Sequence, residues 1–236
     1  MPSSKNNKLL SELLPDELDR LRPHLVEIEL VEGDVLCGDV GPVTHVYFPT
    51  TAVVSHLCSA AAGESIDVAA TGHEGVVGLT FASGNWSPGQ AVVQRAGRAW
   101  RLPASVLRAE FAKGGSLQLQ ALRYQQWLMV QMAQSALCSR MHRVDQQLCR
   151  WILTRLEHGD PDRLAVTQQQ VARMLGVRRE AVSGAATRLE SGGVLHWGRG
   201  RLHVMDRDAL EAGSCECYQA LRGHAQRLLP VMQRAA

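Results

Sequence analysis

The sequence predicts an α+β chain in three parts: a β-rich N-terminal region, one long helix, and a helical C-terminal region closed by a β-hairpin. Three observations predict it. Short apolar runs separated by Gly, Pro and Asp turns recur between residues 26 and 102, the pattern of a sandwich or barrel. Residues 116–139 carry apolar side chains on two helical faces. Residues 167–204 read as two short helices joined by a tight turn, then two short strands.

Residues 9–21, LLSELLPDELDRL, form one or two short amphipathic helices. Val26, Ile28 and Leu30 alternate with Glu27 and Glu29, as in a half-buried strand. Further short strands are predicted at 35–36, 46–48, 53–54, 66–68, 76–77, 91–93 and 99–102. The intervening turns fall at Gly38-Asp39, Gly41-Pro42, Pro49, Gly63-Glu64, Gly72, Gly84-Asn85, Pro88-Gly89 and Gly97. Pro103 opens a helix, where its missing N–H costs nothing. That helix ends near Gly114-Gly115.

The long helix carries Leu117, Ala121, Tyr124 and Leu128 on one stripe and Leu119, Leu122, Met129, Met132 and Ala136 on another. A helix apolar on two sides needs two partners: the β-rich region and the same helix of a second copy, paired in the manner of a coiled coil. Leu117, Ala121, Tyr124, Leu128 and Met132 are the expected interface; burial within a single domain is the alternative. A further helix runs from Val144 to about Leu156, Gly159-Asp160-Pro161 ends it, and the hinge is expected near residues 139–143. Residues 206–229 are expected to be mostly helical.

The densest signal is TQQQVARMLGVRREAVSGAATRLE, residues 167–190. Thr167 can cap a helix through its hydroxyl. Val171, Ala172 and Leu175 share a face, and Gly176 tolerates the left-handed backbone that leaves one helix for the next. Val177 starts the second element, whose inward face is Val182, Ala185 and Leu189. Its other face carries Arg178, Arg179, Glu180, Ser183, Thr187 and Arg188, residue types that meet phosphates and base edges. Thr167, Gln168 and Gln169 start the first helix of the pair. After Gly192-Gly193, residues 194–197 and 201–204 form two strands around Gly198-Arg199-Gly200, a wing with Arg199 and Arg201 near a duplex backbone. The pattern is that of a winged helix-turn-helix; a helical hairpin with a solvated charged face is the alternative.

Charge agrees with this assignment. The net charge is +2, but residues 1–139 carry −3 and residues 140–236 carry +5, and all fifteen cations of the latter segment are arginine. Arginine's planar fork suits phosphate and guanine. The 45% apolar content supports a packed core, no apolar run approaches bilayer length, and the polar N-terminus lacks a signal segment, so a cytoplasmic protein away from membranes is expected. The six cysteines (Cys37, Cys58, Cys138, Cys149, Cys215, Cys217) are expected to be structural and reduced. Only Cys215 and Cys217 are close, at a spacing unusual for metal ligation, and their role stays open. No phosphate-binding loop, nucleophile elbow or His-Glu-x-x-His motif is present, so no enzyme is expected.

The order of these parts resembles the Crp/Fnr family of bacterial transcription regulators. The specific stretches are LAVTQQQVARMLGVRREAVSGAATRLESGGVL with GRGRLHVMDRDAL, and HVYFPTTAVVS with GHEGVVGLTF in the N-terminal half. The resemblance implies a cyclic-nucleotide-binding-like β-roll over residues 1–115, a dimerisation helix and hinge over 116–142, and a winged helix-turn-helix domain with a helical tail over 143–236. It implies a homodimer on double-stranded DNA, RNA polymerase as a partner, and a small-molecule effector in the β-roll. Arg179, Glu180 and Ser183 match the family's base-reading positions. Gly184 stands where many members have a DNA-contacting arginine.

The effector pocket departs further. Val76 stands where cyclic-nucleotide members place a glutamate, and Gly89-Gln90 where they place the arginine that holds the cyclic phosphate. A buried phosphate without a cation is poorly compensated, so cAMP is not the expected ligand. His73, Glu74, Gly75, Val76 and Gln90 are the candidate pocket residues; His73 and Glu74 as turn caps are the plainer reading. Residues 1–36 hold no cysteine, which excludes the iron–sulfur cluster of the oxygen-sensing branch. For haem, His24, His45, His56, His73 and His142 are all candidates and nothing selects one, so the cofactor is unknown. A ligand- or redox-sensing module with a vestigial DNA domain is the competing function.

Overall fold

The structure, a computed structural model, describes residues 7–38, 42–61, 63–79 and 89–229. These divide into two compact units. One comprises the described parts of Met1–Cys58, Val68–Gln131 and His224–Ala236, the other Ser59–Asp67 and Met132–Gly223.

In the first unit, helices α1 (Lys8–Ser11) and α2 (Pro15–Leu21) precede a set of short strands. These are β1 (Val26–Leu30), β2 (Val35–Cys37), β3 (His45–Pro49), β4 (Val53–Ser59), β5 (Ser65–Thr71), β6 (Gln90–Arg95) and β7 (Gly97–Pro103); residue 59 of β4 and residues 65–67 of β5 are assigned to the second unit. One sheet has the order β1-β7-β3 and the other β2-β6-β4-β5. Leu30, Ala52, Val54, Val77, Ala91, Val93 and Ala99 form one apolar core. The strand expected at 46–48 is β3, which buries Val46 and Phe48. The alternation expected over Val26–Leu30 holds only in part in β1, an edge strand: Leu30 is buried but Val26 is exposed. The strand expected at Val76-Val77 is a single bridge, Val77 exchanging backbone hydrogen bonds with Tyr47 at 2.8 and 3.0 Å. The turns expected at Gly38-Asp39, Gly41-Pro42, Gly84-Asn85 and Pro88-Gly89 lie wholly or partly outside the described residues.

Pro103 is the last residue of β7 and the N-cap of α3 (Ala104–Phe111). Gly114 and Gly115 follow with left-handed backbones, and α4 (Ser116–Met141) begins. Its first amides are satisfied from far away: the buried Glu17 carboxylate accepts from the backbone of Ser116 (2.9 Å) and Leu117 (3.2 Å) and from the Ser116 hydroxyl. A carboxylate there meets both the orphan donors and the positive end of the helix dipole. The division between the units falls inside α4, between Gln131 and Met132.

The faces of α4 correct the expected dimer surface. Leu117, Ala121 and Tyr124 are fully buried within their own chain, Leu128 is half-buried, and Met132 alone of the five is exposed. Three are therefore spent on folding the β-rich unit. The Gln131 amide closes that face by exchanging two 3.1 Å hydrogen bonds with the Ala70 backbone. The other stripe is the free one: Leu119, Leu122 and Met129 are 49%, 49% and 68% exposed.

The second unit contains α5 (Val144–Leu156), β8 (Arg163–Ala165), α6 (Gln168–Leu175), α7 (Arg179–Ser191), β9 (Leu195–Gly198), β10 (Arg201–Val204), α8 (Arg207–Ala212) and the start of α9 (Cys217–Leu228). Its sheet has the order β8-β10-β9. β8 is three residues long, too short to leave a periodic signal. The core gathers Leu148, Ile152 and Leu153 of α5 with Val171, Ala172, Val182, Ala185, Trp197 and Leu202. Among the described residues, no helix is long and apolar enough to cross a membrane.

Candidate nucleic-acid interface

The candidate interface is built from α6, α7 and the β9–β10 hairpin. Thr167 caps α6: its hydroxyl accepts from the Gln170 amide at 3.2 Å, and the Gln170 side chain accepts from the Thr167 amide at 2.8 Å. This reciprocal box is the local reason α6 starts where it does. α6 ends at Gly176, at φ 66° and ψ 33°, the left-handed conformation in which glycine is the cheapest residue. Arg178 rather than Val177 opens the second helix, as the extended N-cap of α7. Ala172 and Ala185 are both buried in the shared core, and these small side chains let the two helices approach closely.

That register turns Arg178, Arg179, Glu180 and Thr187 outward, all exposed. Ser183 is half-buried and donates to Gln168 Oε1 at 2.6 Å, so this pair locks α7 onto the start of α6. Thr167 and Gln169 are exposed beside it. Arg188 is engaged within the chain: its guanidinium grips Asp145 of α5 through Nη2 at 2.6 Å and Nε at 3.2 Å. The same guanidinium holds the Asp145 carboxyl below the usual carboxylate range. Nothing in the sequence between residues 145 and 188 signalled this pair. Gly184 sits in the α7 interior, where an added Cβ would meet only Arg188 Nη1 at 3.5 Å. Packing does not demand glycine there, although it costs up to about 1 kcal/mol against alanine.

The hairpin is a wing. Arg199 (φ 52°) and Gly200 (φ 74°) both have positive φ, as a two-residue turn that follows strand twist requires. Arg199 is the only non-glycine residue with positive φ among the described residues, so the turn places an arginine at its tip against backbone preference. Arg199 and Arg201 are exposed. The wing is fixed from both sides. The Trp197 indole donates to Val166 O at 2.9 Å, and Val166 N donates to Gly200 O at 2.9 Å, tying the hairpin to the segment ahead of α6. Glu190 Oε1 of α7 accepts from Trp197 N at 2.7 Å. Helix pair and wing thus form one rigid frame with exposed arginines at the start of α7 and on the hairpin.

The residues expected in an effector pocket lie in the first unit. His73 O accepts from Lys8 N at 2.7 Å, and the Asn7 amide donates to Gly75 O (2.9 Å) and Pro49 O (2.8 Å). Glu74 is buried and its Oε1 accepts from Gly72 N at 2.9 Å, closing the turn. Val76 is buried. At Gly75 an added Cβ would overlap the Tyr124 ring. Tyr124 in turn shares a 2.6 Å hydrogen bond with Thr71, which lies 2.7 Å from His56 Nε2. Burial first, then the Glu74 carboxylate, push the Tyr124 phenol well above its ordinary range, so it stays neutral. Gln90, at the start of β6, is half-buried and is not among the groups bonded into this loop. Of the other histidines, His45 Nδ1 is bonded to Thr44 at 3.0 Å.

Residues 146–212 match the Crp-like helix-turn-helix domain family. Solved structures extend the likeness across the chain. A transcriptional regulator of the Crp/Fnr family from Eubacterium rectale superposes with a TM-score of 0.72 at 11% identity, over 92% of this chain and 100% of that one. FixK2 from Bradyrhizobium japonicum gives 0.68 at 16% identity, over 81% and 98%. The global regulator CLP of Xanthomonas campestris, described as responsive to c-di-GMP, gives 0.62 at 15% identity, over 80% and 98%. No curated protein matches the chain. At these identities the shared property is the fold, and that fold is the Crp/Fnr-type regulator fold.

Proposed function

We propose that this chain is a homodimeric, sequence-specific regulator of transcription that reads double-stranded DNA with α7 and does not respond to cAMP. The observation that carries the proposal is the hydrogen-bonded frame that presents Arg178 at the N-cap and Arg179 and Glu180 on the first turn of α7, with Arg199 and Arg201 on the wing. A helix whose first turn enters the major groove places such side chains at base edges, while the wing cations meet phosphates.

The free face of α4 supports the dimer. Exposed residues at 119, 122, 126, 129, 133 and 136 follow the alternating three- and four-residue spacing of a coiled-coil seam, with Leu119, Leu122 and Met129 as its large apolar members. Two copies joined there would carry two reading helices, which suits half-sites one DNA turn (roughly 34 Å) apart. Against cAMP stands the loop at 72–78: Val76 replaces the glutamate and is buried, and Glu74 is committed to its own turn. A regulator of this type works in the cytoplasm with RNA polymerase as its downstream partner. The test is selection from a random duplex library by the full-length protein without added ligand. A palindrome with half-sites one helical turn apart is expected, with affinity falling steeply as salt rises. Binding that is absent at low salt, with or without cell extract, would overturn the reading.

A further inference from the structure

The second unit holds a cluster that the DNA interface does not use. Cys138 lies in the last turn of α4, and His142 follows four residues later, its amide still bonded to Cys138 O at 3.2 Å. Cys215 and Cys217 arrive from the start of α9. The three sulfurs and the imidazole nitrogen lie within 4.8 Å of one another. Cys138 Sγ is 3.5 Å from Cys215 Sγ, and Cys217 Sγ is 3.5 Å from His142 Nδ1. We infer that Cys138, His142, Cys215 and Cys217 form a closed binding site for one thiophilic divalent cation, with zinc the metal the donor set fits best.

Four features argue this beyond proximity. The first is scale. A tetrahedral zinc site, with Zn–S of about 2.3 Å and Zn–N of about 2.0–2.1 Å, has donor–donor edges of about 3.5–3.8 Å. The Cys138–Cys215 and Cys217–His142 separations, both 3.5 Å, are of that size, and the other donor pairs lie within 4.8 Å, so a cation fits once the side chains draw together. The second is the histidine. Its Nε2 lies 3.1 Å from the Glu216 carboxylate, which assigns the ring proton to Nε2 and leaves the Nδ1 lone pair facing the sulfurs. A carboxylate behind a ligating histidine is the usual way to orient it and raise its basicity. Glu216 stands between two of the cysteines, so one short segment supplies two sulfurs and the orienting carboxylate.

The third feature is enclosure. All three cysteines are buried and the His142 side chain is only 11% exposed, so four protein ligands leave no open coordination position. That is the form of a structural site, not a catalytic one. The fourth is charge. Three thiolates and a neutral imidazole around a divalent cation sum to −1. Arg150 is buried, its charge acts on Cys138, and its Nε has no hydrogen-bond partner among the described residues. A buried guanidinium needs an anion nearby, and a thiolate-rich metal centre is one. Packing alone accounts for buried cysteines one at a time. It does not account for three thiols and an oriented imidazole converging from segments 77 residues apart. The bound ion would pin the end of α4 to the start of α9.

The test uses the full-length, tag-free protein, purified under reducing conditions, loaded with Zn²⁺ and dialysed against a weak chelator. About one zinc per chain by elemental mass spectrometry is expected, with that zinc lost in the C138S/C217S double variant. The wild-type chain loaded with Co²⁺ instead is expected to show the strong visible bands of tetrahedral cobalt and a thiolate-to-cobalt charge-transfer band, a readout that needs no variant to fold. Zinc no higher than the dialysis blank, zinc retained undiminished by a folded double variant, or the weak spectrum of octahedral cobalt would each overturn the site. None of these outcomes depends on whether the chain binds DNA.

Discussion

The turn at Gly176 and the loop from Gly72 to Gly78 are both built around glycine and flanked by charged side chains, yet they use those side chains in opposite ways. Around Gly176 the cations face solvent: Arg178 and Arg179 are exposed, while the apolar residues of α6 and α7 turn into a core shared with α5 and the hairpin. Around Gly75 the charge is turned inward: Glu74 closes its own turn, Asn7 pins the backbone, and the Tyr124 ring occupies the space a side chain would need. The difference teaches where a glycine-and-charge pattern is informative. Between two helices, helical geometry sets side-chain direction within a few residues. In a loop, distant contacts set it.

The comparison can be broken most forcefully at the loop. Gly75→Ala drives a methyl into the Tyr124 ring, an overpacking expected to destabilise the chain by about 1–3 kcal/mol. Tyr124→Ala removes a fully buried ring and should cost about 3–5 kcal/mol. Combined, the two changes should cost clearly less than their sum, because the cavity made by one accommodates the methyl of the other. Denaturant unfolding of the four proteins measures this, and strict additivity would mean that the ring is not what Gly75 serves.

The arginine frame is sharpened by contrasting two of its members. Arg179→Ala should weaken binding by about 1–3 kcal/mol and relax preference at one position of the half-site. Arg199→Ala should weaken all sequences alike if, as proposed, the wing cation meets phosphate. Titrations against a panel of single-base operator variants separate the two, and equal, sequence-blind losses would remove Arg179 from base readout. The smallest expected effect concerns Arg188, tied to Asp145 at 2.6 Å. Asp145→Ala frees that guanidinium, so the slope of log affinity against log salt should steepen by up to about one. An unchanged slope would place Arg188 off the DNA path and leave its ion pair a purely structural link between α5 and α7.

What the sequence determined by itself was local. The Thr167 cap, the glycine at 176, the strand at 46–48 and the two stripes of α4 were all legible, because capping and periodicity depend on residues a few positions apart. The tertiary structure decided which partner each surface takes. It gave the Leu117–Tyr124 stripe to the chain's own β-rich unit and left the Leu119–Met129 stripe free. It capped α4 with Glu17 from 99 residues away, and paired Arg188 with Asp145. It also brought Cys138 and His142 to Cys215 and Cys217, whose one-residue spacing alone had argued against a metal. Each of these depends on two segments far apart in the chain meeting at one point, and spacing along the sequence carries no record of that meeting.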